Sequence, residues 1–256
     1  MRANRLREIW AAGKPVICGW CNMPGAFSAE VMANMGWDAV TIDTQHGLIG
    51  YEQMVAMLQA VSTTAATPLV RVSWNQPGEI MRALDAGAYG VICPMINDAA
   101  ECAAFVQACR YPPAGFRSSG PIRAAVYGGA DYHAHANDQM LAFAMIETAG
   151  GLENLEAIVA TPGLDGVYIG PSDLSLAMGG PPGQDSQAPA LLAAFDRIMA
   201  ACRSAGVRVG VHTNSPAYSQ QMIERGFDLV TVGSDMRYLS SGRREAAEMR
   251  GWIEKR

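Results

Sequence analysis

The sequence predicts an α/β fold, a (β/α)8 barrel of the TIM type, on three observations. Apolar stretches of strand length alternate eight times with helical patterns, and regular alternation of this kind builds a parallel sheet. The first strand-to-helix turn lacks Gly-x-Gly-x-x-Gly, the fingerprint of a doubly wound dinucleotide fold. No linker or composition break divides residues 1–256, a length that suits a single barrel domain. A doubly wound open sheet is the alternative architecture.

The elements follow in order. Residues 4–12 predict a short helix stopped by Gly13-Lys14-Pro15, and 16–21 the first strand. Ser28 is placed to cap a helix running to residue 35, which Gly36 ends. Strand two, 38–43, leads into Thr44-Gln45-His46-Gly47, and a helix follows at about 51–63 with Met54, Val55, Leu58 and Val61 on one face. Strand three covers 68–72, and Pro77 opens a helix that ends near Gly87. Strand four, 89–94, precedes a helix at 99–109, and residues 111–137 read as irregular. Strand five, 143–146, and strand six, 167–169, flank a short helix at 151–160 stopped by Thr161-Pro162-Gly163. Helix 190–205 leads to strand seven at 208–212, helix 216–225 to strand eight at 228–232, and a final helix covers 243–253.

Half of the residues are apolar, 17% are charged, and the net charge of −5 argues against nucleic acid as a partner. No apolar run approaches the ~18 residues of a membrane span, and Met1-Arg2-Ala3-Asn4-Arg5-Leu6-Arg7-Glu8 lacks the apolar core of a signal peptide. A cytoplasmic enzyme or binding protein without membrane contact is expected. Of the six cysteines, Cys18 and Cys21 have redox-motif spacing. Residues three apart in a strand face opposite sides, so all six are read as buried thiols.

A strand–helix–strand unit as short as residues 143–169 makes strands five and six parallel, which brings Glu147 and Asp173 to the same end. Two carboxylates without a lysine nearby need a cation or a shared proton. Hard oxygen donors favour Mg²⁺ or Mn²⁺, with Co²⁺ able to substitute in vitro. Open coordination positions suit a 2-oxo acid, whose ketone oxygen gathers charge as an enolate forms. The same rim collects Asp43, His46, Arg71, Ser172 and His212. Arg71 offers a permanent cation to an enolate oxygen or a carboxylate, a rim salt bridge being the plainer role. His46 is the natural proton carrier, with Asp43 close enough in sequence to orient it. His133-Ala134-His135 has metal-ligand spacing but lies in the irregular section, and Asp235 in Gly233-Ser234-Asp235 would repel a phosphate seated there. Lys14 and Lys255 are the only lysines, neither at a strand C-terminus. That argues against a Schiff-base lysine and against pyridoxal phosphate (PLP).

Asp43-Thr44-Gln45-His46-Gly47, Pro68-Leu69-Val70-Arg71-Val72, Tyr111-Pro112-Pro113, Ile146-Glu147-Thr148 and Gly170-Pro171-Ser172-Asp173-Leu174-Ser175 resemble the HpcH/HpaI aldolase family. These are metal-dependent class II pyruvate aldolases of the phosphoenolpyruvate/pyruvate superfamily, and the resemblance spans nearly the whole chain. It implies reversible cleavage of a 4-hydroxy-2-oxo acid to an aldehyde and pyruvate, or a related 2-oxo acid such as hydroxypyruvate. By the family pattern Glu147 and Asp173 hold the metal, His46 is the acid/base, Arg71 stabilises the transition state, and the backbone at Gly170 and Ser172 seats the 2-oxo acid. An aspartate matching Asp85 tunes the histidine, whereas the residues alone point to Asp43. Met145 stands where the family often has a substrate-contacting glutamine. The resemblance further implies a homohexamer, with the last helix exchanged between subunits.

The section after strand four carries Arg117, Arg123, Tyr127, Tyr132 and His133. Part of it, Arg123 and Tyr127 foremost, is expected with His212 on the acceptor side, a solvated excursion supporting the oligomer being the alternative. Two other functions compete with the aldolase. A citrate-lyase-like acyl-thioester lyase would need a coenzyme A site, for which no basic, adenine-sized feature is visible. A non-catalytic 2-oxo-acid-binding barrel would bind pyruvate without exchanging its methyl protons.

Overall fold

A computed structural model describes residues 1–256. Its strands are β1 (Val16–Cys21), β2 (Ala39–Asp43), β3 (Thr67–Arg71), β4 (Gly90–Cys93), β5 (Leu141–Ile146), β6 (Gly166–Ile169), β7 (Arg208–His212) and β8 (Leu229–Ser234). They close into one barrel in chain order, all pairs parallel, with β1 hydrogen-bonded to β8. The predicted barrel is therefore the observed architecture, and the open sheet, which would leave two free edges, is not. Strands covered on both faces read as continuous apolar runs, as in Leu141–Ile146, where every residue is buried.

The barrel's interior holds Cys18, Trp20, Leu69, Met145 and Tyr168, in a cluster separate from the 56 buried residues that pack chiefly between strands and helices. Side chains alternate along a strand. The next inward positions after Leu69, Met145 and Tyr168 are Arg71, Glu147 and Gly170, so the strands deliver a polar layer at the mouth. Cys18 lies in the interior cluster and Cys21 in the outer one. All six cysteines are free and buried, and burial raises the Cys18 thiol to about 11.

Several boundaries differ from the sequence reading. The first helix after β1 is Ala26–Ala33, capped by Gly25, and Ser28 lies inside its first turn with Oγ donating to the Gly25 carbonyl. The stretch read as irregular contains two helices, Ile122–Gly128 and Tyr132–Gln139. They are rich in alanine, glycine and polar residues and bury two residues each, Ala124 and Gly128 on the first and Tyr132 and Ala136 on the second, and the second is tied down by a polar anchor. Arg117, 1% exposed, donates to Asp85 at 2.6 Å and to the Tyr132 hydroxyl at 3.1 Å, and sits 4.5 Å above the Tyr111 ring. The helix expected at 151–160 is two short pieces, Ala149–Glu153 and Leu155–Val159. Pro171–Ala177 and Asp235–Ser240 are helices where strand ends alone were read. The last helix, Gly242–Ile253, buries none of its residues. No helix is long and apolar enough to cross a membrane.

Candidate active site

The mouth of the barrel holds a cleft of about 260 Å³ lined by residues that include His46, Arg71, Glu147, Gly170, Ser172, Asp173 and His212, a scale suited to a small molecule. Asp43 organises one wall. It ends β2, is fully buried, and accepts from Arg71 Nε and Nη2 at 2.8 and 2.5 Å. Asn22 Nδ2 at 3.0 Å and Trp20 Nε1 at 3.3 Å complete its shell on the β1 side. Its Oδ1 also accepts from the backbone N–H of Gln45 and of His46 at 3.0 and 3.3 Å. Burial alone would raise the Asp43 carboxyl, but the Arg71 bonds and charge outweigh it and hold the group below the usual carboxylate range. Asp43 thus meets His46 through its main chain and spends both oxygens on Arg71. Gly47 closes the turn: a Cβ there would collide with the Asp43 carbonyl oxygen.

Glu147 forms the opposite wall. It is 2% exposed, and Oε1 accepts from the Met95 N–H at 2.9 Å. A Cβ at Gly170 would overlap Glu147 Oε2, so the glycine makes room for the carboxylate. Burial pushes Glu147 up to about 7 against the Met95 bond, and the charge of Asp173 pushes the same way. Asp173 is exposed, in the first turn of Pro171–Ala177. Glu147, whose ionisation the nearby Asp173 charge opposes and whose Oε2 has no protein donor, forms with Asp173 a donor set that fits a hard divalent cation. No three His, Cys, Asp or Glu side chains gather into a metal-binding group, in this cleft or outside it.

Several candidates stand apart. Within one chain Asp85 does not meet His46: it terminates the helix Pro77–Asp85, whose end lies at the opposite rim from the mouth, and it pairs with Arg117. Arg123 donates to the Ala86 and Leu58 carbonyls at 2.6 and 3.2 Å. Tyr127 packs edge-on against Tyr89. Within one chain, then, neither residue reaches the acceptor side, because the helix Ile122–Gly128 carries both to the barrel's other end. His133 pairs with Ser119, and His135 lies 3.6 Å from Asp131. Asp235 accepts from the N–H groups of Asn22 and Met23 at 2.9 and 3.0 Å, which fills the proposed phosphate cradle with a carboxylate. Lys14 precedes β1 and Lys255 follows the last helix, and neither lines the cleft.

Sequence reasoning missed the floor. Trp20 stacks on Tyr168 at 5.8 Å and meets His212 edge-on at 4.8 Å, and its ring lies 4.9 Å from the Arg71 guanidinium. Strand alternation from Cys18 would have put Trp20 inward. Nothing local marks Gln184, which joins the cleft from the loop after Pro171–Ala177.

Comparison with known proteins agrees with this geometry. Residues 18–241 match the model of the HpcH/HpaI aldolase/citrate lyase family. The chain is 39% identical to the hydroxypyruvate/pyruvate aldolase of Rhizorhabdus wittichii, over 94% of this chain and 96% of that protein. It is 37% identical to the 4-hydroxy-2-oxo-heptane-1,7-dioate aldolase of Salmonella arizonae, over 99% and 96%. The crystal structure of an HpcH/HpaI aldolase/citrate lyase family protein from Burkholderia cenocepacia superposes with a TM-score of 0.88 at 32% identity, covering 96% of this chain and 99% of the other. With the barrel, its polar mouth and these relatives in agreement, the chain is an enzyme and belongs to the HpcH/HpaI aldolase/citrate lyase family.

Proposed function

We propose that this enzyme is a divalent-metal-dependent class II aldolase. It reversibly cleaves a 4-hydroxy-2-oxo acid into an aldehyde and pyruvate, or a related 2-oxo acid such as hydroxypyruvate. The observation that carries the reading is the cleft itself, where Glu147 and Asp173 share a mouth with an Arg71 held in place by Asp43. Glu147 and Asp173 would hold Mg²⁺ or Mn²⁺, with Co²⁺ as a substitute. When bound, the cation supplies a Lewis acid beside the ketone oxygen of the substrate.

The protein's own groups do the rest. Asp43 occupies Nε and Nη2 of Arg71, which leaves Nη1 to meet the charge that gathers on the C2 oxygen. His46 is exposed at the mouth, on a loop that Asp43 ties down. In cleavage it takes the C4 hydroxyl proton as the C3–C4 bond breaks and its electron pair moves toward C2, and the enolate left behind gains a proton at C3 to become the free 2-oxo acid; in the reverse direction C3 loses that proton and His46 returns one to the aldehyde oxygen. Gly170 and Ser172 seat the acid against the floor of Trp20 and Tyr168, which keeps water from beneath the reacting carbons. Incubating metal-stripped protein with pyruvate or hydroxypyruvate and a panel of aldehydes, then restoring Mg²⁺ or Mn²⁺, tests this reading. A new hydroxy-oxo acid that appears only with metal is the expected result, and no product with any pair would refute it.

We further propose a homo-oligomer, a hexamer, in which the last helix packs on a neighbouring subunit. Gly242–Ile253 leaves Met249, Trp252 and Ile253 exposed, and an apolar groove formed by Phe27, Val31, Met35 and Leu239 is equally uncovered. Two unpartnered apolar surfaces on one chain support mutual burial between copies. Deleting residues 242–256 should reduce the mass measured by sedimentation.

A further inference from the structure

His212 is the one polar group of the floor with an unused edge. In the β6–β7 register Ile169 stands opposite Val211, so His212 falls beside Gly170, with β6 between it and the strand that carries the Glu147 carboxylate. Its Nδ1 lies 3.1 Å from the Tyr168 hydroxyl, which lies 2.6 Å from Thr231 Oγ1. The Trp20 edge fixes the ring from the other side. Nε2 has no partner in the protein, and the residue lines the cleft.

Depth decides what this edge meets. His212 points inward from a strand, in the layer of Arg71 and Glu147, where the 2-oxo acid is seated. His46 stands higher, exposed on its loop, where the aldehyde arrives from solvent. We infer that His212 reads the 2-oxo acid rather than the aldehyde: its Nε2 hydrogen-bonds a hydroxyl on C3, so that the enzyme prefers a 3-hydroxy-2-oxo acid over one ending in a methyl group. This inference rests on the aldolase reading above.

Burial, assisted by the Arg71 charge, lowers the imidazole to about 4, so it is neutral at physiological pH and one ring nitrogen carries the hydrogen. If Tyr168 gives its proton to Nδ1, Nε2 is a donor. If Tyr168 gives it to Thr231, Nδ1–H donates to Tyr168 and Nε2 is an acceptor. A hydroxyl satisfies either tautomer and a methyl satisfies neither. Met145, 1% exposed, adds no competing polar group at this depth.

The test compares hydroxypyruvate with pyruvate as donor to one aldehyde, acetaldehyde, in the Mg²⁺-loaded wild type, His212→Leu and His212→Gln, together with calorimetric binding of each donor. The wild type should favour hydroxypyruvate, and His212→Leu should reduce the kcat/KM ratio between the donors by roughly ten- to a hundredfold, mainly through KM. His212→Gln, which keeps a hydrogen-bonding group, should recover part of the ratio. An unchanged ratio in His212→Leu, or a parallel fall for both donors, would overturn the inference. If that variant does not fold, wild-type binding decides, since hydroxypyruvate bound no tighter than pyruvate also overturns it. If neither donor reacts with any aldehyde nor exchanges its C3 protons in D₂O, the aldolase reading itself fails.

Discussion

Asp43 grips Arg71 through two parallel bonds, Nε to Oδ1 at 2.8 Å and Nη2 to Oδ2 at 2.5 Å, and the carboxylate is wholly buried. The clamp turns a flexible cation into a fixed donor, and its strength comes from the bidentate geometry. Asp43→Asn replaces one acceptor oxygen with an amide that faces the guanidinium and leaves Arg71 without its counter-charge. Such a break in a buried pair costs about 3 kcal/mol of stability and, by freeing Arg71, should lower kcat by roughly a hundredfold. Thermal unfolding and steady-state kinetics measure the two effects. A variant with normal kcat would show that Arg71 needs no clamp.

Metal response follows from the raised Glu147 carboxyl. A carboxyl lifted to about 7 gives stability that is complete below the ordinary glutamate range and is lost as pH rises through 7. In chelator, the melting temperature should therefore fall between pH 5 and pH 8, and Glu147→Gln should flatten much of that slope. Adding Mn²⁺ should raise the wild-type melting temperature more at pH 8 than at pH 5, because the cation binds the ionised form. Glu147→Gln should show little Mn²⁺ response at either pH. An equal response in both proteins would remove Glu147 from the metal site.

Gly170→Ala separates site from scaffold. Gly170 has φ −93 and ψ 94, a conformation alanine adopts freely, so the backbone bears no strain. The added methyl overlaps Glu147 Oε2 and presses more lightly on the flexible end of Met145 and on Glu147 Cβ. The carboxylate must rotate away, and Mn²⁺ affinity should drop by about tenfold or more while the melting temperature changes by only a few degrees. A large loss of stability with intact affinity would mean that the carboxylate has room to yield without leaving the metal.

What was legible in the sequence divides along physical lines. Strands such as Leu141–Ile146 announce themselves because burial on both faces demands unbroken apolar runs. Chemistry-bearing residues at strand ends, Glu147, Arg71 and Asp43, were readable because topology alone sends them to one rim. Helices Ile122–Gly128 and Tyr132–Gln139 were not, since each buries only two residues and so shows no apolar stripe, and a buried arginine anchors the second through Tyr132. The partnership of Asp43 with Arg71 instead of the His46 ring was hidden as well. Proximity in sequence pointed to the histidine, and the register that sets Asp43 directly opposite Arg71 exists only once β2 and β3 pair.

The Arg117–Asp85 pair offers the last prediction, at the other end of the barrel. Arg117 is buried while the Asp85 side chain is 25% exposed, so the partners are unequal. Arg117→Met removes the charge, fills a similar volume, and leaves Asp85 able to turn to water. Asp85→Asn leaves a buried guanidinium without its counter-charge, facing only the neutral amide oxygen and the Tyr132 hydroxyl. Removing the partner of a buried charge is the costlier change, so Asp85→Asn should destabilise by about 2–3 kcal/mol and Arg117→Met by less. The double variant should be more stable than Asp85→Asn alone, because the stranded cation has gone. Urea unfolding of the four proteins closes the cycle. Additive losses would show that the two residues act separately and that the helices after β4 are held by their packing rather than by this ion pair.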